Sequence, residues 1–171
     1  MIKKYINYFK KTGFIFLEIL IAIAIISIVF TVLLGIGFSA INILSSIKKQ
    51  TQADFLAKEE LEALRSYRDG TTWASNGLGI VDSGDINPYY LVLDNGATPK
   101  WTLQLGQETV GIFTRYVVFD WVSRNPPVTG YIEDTYHDAN RDDQTVKVKV
   151  TVSWLGKVSQ VFAYLTNWQN K

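Results

Sequence analysis

Apolar residues run almost without interruption from Phe14 to Ile47, and the one charge among them is Glu18. The stretch Phe14 to Phe38, wound as a helix, measures about 37 Å, enough to cross a hydrocarbon core of about 30 Å. A secretory signal has a shorter apolar region, of about 7–15 residues, before its cleavage site, so the pattern predicts a transmembrane helix over 14–38. From Ser39 to Ser66 the pattern becomes amphipathic. Ile41, Leu44, Ile47, Thr51 and Phe55 recur at three- and four-residue spacing, prolonged by Leu61 and Leu64, which predicts that the helix continues over 39–69 with one side turned to a domain. Asp69-Gly70 is the predicted stop, with Gly70 suited to a left-handed cap.

Beyond residue 70 the period changes to two. Val146, Val148, Val150, Val152 and Trp154 alternate with Lys147, Lys149, Thr151 and Ser153, as in a half-buried strand. With a turn at Gly156 and a return over Val158 to Thr166, residues 145–166 read as a hairpin. Ile112 to Val122 is a third strand; Tyr89 to Leu93 and Trp101 to Leu105 are shorter ones, parted by Asp94-Asn95-Gly96. A long helix followed by strands predicts an α+β fold, its amphipathic half packed against a C-terminal antiparallel β-sheet in a domain spanning 70–171. Trp121, Trp154 and Trp168 are expected in core or helix-facing positions rather than on a binding surface.

The chain has 171 residues, so about 100 remain for a compact domain once the apolar third is set aside. With 17 basic against 16 acidic residues, no global field points to nucleic acid. The absence of cysteine removes thiol chemistry and Cys-type metal sites, and a single histidine, His137, argues against His-based catalysis. No phosphate loop, zinc-protease helix or nucleophile elbow occurs in the sequence. An enzyme is not expected.

Residues 1–13 carry Lys3, Lys4, Lys10 and Lys11 and no acid, against Lys48 and Lys49 beyond the far end of the span. That balance predicts a single-pass protein of the cytoplasmic membrane, N-terminus inside and C-terminal domain outside. Glu18 admits two readings: a carboxylate reaching the headgroups at the membrane edge, or one awaiting a cationic partner in an assembly.

The local sequence distinguishes the two. Lys10-Lys11-Thr12-Gly13-Phe14-Ile15-Phe16-Leu17-Glu18 resembles the processing site of type IV prepilins and type II secretion pseudopilins. That resemblance implies a leader over 1–13, cleavage after Gly13 by a prepilin peptidase, N-methylation of Phe14, and Glu18 as the fifth mature residue, used in assembly. Ile15 and Phe16 depart from the usual Thr-Leu, and the proline that major pilins often carry midway along the helix is missing, with only Gly35 and Gly37 as breakers. The partners implied are other pilin or pseudopilin subunits, the membrane assembly platform and the membrane itself, leading to a filament or the cell surface. DNA, which competence pilins touch, finds no basic cluster here beyond Lys147 and Lys149.

Some pseudopilins bind calcium in the C-terminal region, and Asp138, Asn140 and Asp142 place oxygen ligands at alternate positions, with Asp134 nearby. An EF-hand would need Gly and Glu where Asp143 and Lys149 stand. A simpler Ca²⁺ loop is the lesser alternative to a solvated acidic turn. The expected function is therefore that of a minor pilin or pseudopilin. The alternative of a different class is a non-polymerising, membrane-anchored exported domain that binds a ligand or partner.

Overall fold

A computed structural model describes residues 2–127 and 129–169, with residues 2–13 as helical backbone only. Helix α1 runs over Ile2–Gly70, followed by a short helix α2, Trp73–Asn76. The strands are β1 Tyr89–Asp94, β2 Lys100–Leu105, β3 Glu108–Val110, β4 Phe113–Asn125, β5 Tyr131–Ile132, β6 Arg141–Trp154 and β7 Lys157–Thr166. They form one antiparallel sheet ordered β2-β1-β4-β6-β7, with β3 and β5 each paired to β4. The α+β architecture expected from the sequence is the one observed.

The chain divides into two compact units, Met1–Lys48 and Lys49–Lys171. In the first, α1 passes through Gly35 and Gly37 without a break. Every described side chain from Phe14 to Ser45 is exposed.

In the second unit, α1 lays Ala53, Ala57, Leu61, Ala63 and Leu64 into a core with Leu91, Val117, Phe119 and the valines of β6. Alanines let the helix axis approach the sheet closely, so the branched side chains of β6 fill the remaining space. The expected face holds at Leu61 and Leu64 but not at Thr51 and Phe55: Phe55 is 67 % exposed and Thr51 is also exposed. A helix turns by about 100° per residue, so choosing Ala53 and Ala57 moves Phe55 to the solvent side. Gly70 does not adopt the left-handed conformation expected of it. Thr71 ends the helix instead, its hydroxyl donating to the Tyr67 carbonyl at 2.8 Å.

The β6–β7 hairpin keeps an unbroken register from Thr145↔Thr166 to Trp154↔Lys157. Its two-residue loop holds Leu155 and Gly156 at positive φ, 46° and 75°, the backbone twist that suits a right-twisted ribbon. Trp154 is buried against Phe113 at a centroid distance of 5.8 Å. Trp121 is half-buried beneath the Arg141 guanidinium at 3.8 Å. Trp168 is 62 % exposed, although its indole N–H donates to Asp69 at 3.0 Å. The expectation for the three tryptophans therefore holds fully only for Trp154.

Candidate assembly and processing site

From Phe14 to Phe38, α1 combines an extended apolar surface with very few polar groups. Phe14 is 76 % exposed, and Ile15, Phe16, Leu17 and Ile19 are all more than half exposed. A continuous apolar face of this length exceeds what a soluble monomer ordinarily leaves to water, and it matches a hydrocarbon environment. The segment beginning at Phe14 is long and apolar enough to cross a membrane.

Two of the polar side chains inside this stretch are satisfied by the helix itself. Ser27 Oγ donates to the Ile23 carbonyl at 2.7 Å, and Thr31 Oγ1 donates to the Ser27 carbonyl at 2.8 Å. Such back-bonding makes a hydroxyl cheap to hold in hydrocarbon. Glu18 is different. It is exposed, and among the described residues no hydrogen bond or ion pair engages its carboxylate.

Phe14 and Glu18 stand four residues apart, on one side of the helix and about 6 Å apart along its axis. A cation placed at the Phe14 amide nitrogen would therefore lie within one helical turn of the carboxylate. Gly13 and Lys3, Lys4, Lys10 and Lys11 belong to the stretch described only as helical backbone, so their side-chain surroundings lie outside the described residues.

No protein family, curated protein or solved structure matches this chain. The long apolar helix leading into an antiparallel sheet is compatible with a pilin-like architecture. The likeness rests on that architecture and on the residues around Gly13.

The three calcium candidates are engaged separately. Asp138 accepts from the Tyr136 hydroxyl at 2.9 Å, and the Asn140 amide donates towards the Glu133 carboxylate at 3.4 Å. Asp142 is buried; its Oδ2 meets Arg124 Nε at 2.6 Å and its Oδ1 accepts the Gln144 N–H at 2.9 Å. Burial alone would raise the Asp142 pKa, but hydrogen bonds from Arg124, Thr145 and the Gln144 backbone outweigh it and hold the carboxyl below its usual range. Among the described residues no group of three or more Asp, Glu, His or Cys side chains is placed to hold a metal ion.

The sequence reading missed a second ionic centre. Glu60 on α1 is wholly buried, and Arg115 on β4 lies against it at 3.1 Å, with Glu108 at 2.5 Å and Glu59 at 3.2 Å. The only sequence signal was a glutamate beside Leu61, on the side where the helix is otherwise apolar.

Proposed function

We propose that the chain is a minor pilin or pseudopilin subunit, cleaved after Gly13, methylated at Phe14, and assembled through its apolar helix into a type IV pilus, secretion pseudopilus or DNA-uptake filament. Glu18 carries this reading, as the one ionisable group between Phe14 and Ile47, exposed, without a partner among the described residues and one turn from Phe14. Cleavage before Phe14 creates an amine that needs a counter-charge at the membrane edge, and Glu18 of the same or a neighbouring subunit provides it. In low dielectric such a pair is strongly directional even where its net contribution to stability is small. Its role is to fix the axial register between subunits.

The four lysines of the leader support an orientation with residues 1–13 in the cytoplasm and the β-rich unit outside. Mass spectrometry of the membrane-extracted protein tests the reading. The expected mature chain begins at Phe14 and carries one methyl group on its amine. A chain retaining Lys3 or Met1 in the membrane fraction would overturn it.

A further inference from the structure

Within the compact unit Lys49–Lys171, a cleft of about 430 Å³ separates the end of α1 from β2. One wall is the last turn of the helix, including Tyr67, with Thr71 just beyond it, closed at one end by Asn76. The Tyr67 hydroxyl donates to the Asn76 carbonyl at 2.8 Å, which fixes this wall. The other wall is five consecutive residues, Pro99 to Leu103. Successive strand side chains point to opposite faces. A cleft lined by both sets in an unbroken run therefore lies along the edge of the strand, not over one face of the sheet.

That edge has unused backbone groups. The Gly106 N–H donates to the Pro88 carbonyl at 2.8 Å, which makes this pair a hydrogen-bonded one. Stepping back two residues at a time in the β1–β2 register, Gln104, Thr102 and Lys100 bond to β1. The N–H and C=O groups of Trp101, Leu103 and Leu105 then face away from the sheet. Among the described residues β2 pairs with no strand except β1.

Side chains complete the groove. Trp101 and Leu103 are partly buried against the core and line the cleft. No acceptor among the described residues meets the Trp101 indole N–H, although a partly buried indole ordinarily finds one. Among the described residues lining the cleft Lys100 alone is charged; it is exposed, and although Asp94 is its cross-strand register partner, no described carboxylate lies within ion-pairing distance of it.

We propose that this groove binds an extended peptide segment of a partner polypeptide, which adds as a strand to the free edge of β2. Backbone pairing at Trp101 and Leu103 provides the register. Apolar side chains at alternate positions of the peptide rest on Trp101, Leu103 and Tyr67, and an acidic side chain at the Pro99 end meets Lys100. The five-residue wall matches about five peptide residues, at about 3.3 Å each. The inference is independent of filament assembly, because every residue in it belongs to the compact unit.

The test uses the full chain in phospholipid nanodiscs and a phage-displayed library of random octapeptides, with empty nanodiscs as the control. Enriched peptides are expected to alternate apolar residues and to carry Asp or Glu near one end. Binding of the synthetic peptide should weaken at least tenfold in Lys100→Glu, at an exposed position outside the core, and also in Trp101→Ala, with an unchanged far-UV circular dichroism spectrum required of each variant. Methylating the backbone nitrogens of alternate peptide residues should abolish binding for one set and spare the other, because only one set faces β2. No enrichment over empty nanodiscs would overturn the proposal, as would peptides indifferent to Lys100→Glu or to the position of N-methylation. Glycan binding that depends on Trp101, without peptide binding, would overturn it in favour of a carbohydrate site.

Discussion

The buried carboxylate of Glu60 accepts a hydrogen bond from the backbone N–H of Leu91 at 2.9 Å, tying the helix to β1 through a group that water does not reach. Beside it, Arg115 faces Glu59, Glu60 and Glu108 at once. One cation is thus shared by three acids, only one of them fully buried. Burial pushes the Glu60 pKa up, and it prevails over the opposing pull of Arg115 and the Leu91 N–H.

Removal of the Glu60 side chain should therefore be costly and its neutralisation cheap. Glu60→Ala leaves the Leu91 N–H unpaired in the core and is expected to destabilise the unit by about 3 kcal/mol. Glu60→Gln keeps an acceptor and sheds the buried charge, so it should lose less than half as much. Because the folded-state pKa lies above the unfolded one, the folded chain holds this proton more tightly. The Glu60 contribution is then largest in acid and declines as pH rises from the usual carboxylate range through the raised value. Urea midpoints measured against pH should show wild type losing ground to Glu60→Gln across that window. A constant difference would contradict the assignment.

The Asp142–Arg124 pair should respond with the opposite sign. Its depressed pKa means that the pair stabilises fully above the unfolded Asp value and fades as pH falls towards the folded one. Asp142→Asn is expected to cost about 1.5–3 kcal/mol at neutral pH. That loss should shrink below about pH 4. Thermal denaturation of the two proteins at neutral and acid pH checks both expectations.

Leu155 is held at φ 46° in the β6–β7 turn while its side chain is 71 % exposed. A non-glycine residue in the left-handed region costs about 1 kcal/mol or more, and here little packing offsets it. Leu155→Asn, which produces the favoured Asn-Gly turn, should raise stability by about 0.5–1 kcal/mol. Calorimetry showing a lower melting temperature for the variant would overturn the strain assignment.

Glu18 belongs to the unit Met1–Lys48, so its loss is expected to leave the folding of the β-rich unit unchanged. Glu18→Ala is expected to reach the membrane at wild-type level, with an unchanged melting temperature for the β-rich unit, yet to be missing from sheared filaments. Recovery of the variant in filaments at normal yield would remove the register role.

Much of this protein is written in one-dimensional periodicity. The apolar run at Phe14, the Glu18 exception and the valine alternation of β6 each have a physical meaning that needs no partner. A helix must bury its polar backbone in lipid, and a strand must divide its side chains between two faces. What remained hidden was anything decided by two distant segments meeting. Phe55 was expected against the domain because it is apolar and correctly spaced, but the sheet selects Ala53 and Ala57, whose small size allows close approach. Asp138, Asn140 and Asp142 alternate as ligands would, but Arg124, 18 residues before Asp142, claims the last of them. The groove beside β2 has no sequence signature, since it exists only where a helix end and an unpaired strand edge lie apart. Periodicity along the chain determined the elements and the membrane-length helix; the choice of buried face, the Glu60–Arg115 centre and the open edge of β2 were decided only when sheet and helix packed, because each depends on which groups come within hydrogen-bonding or contact distance.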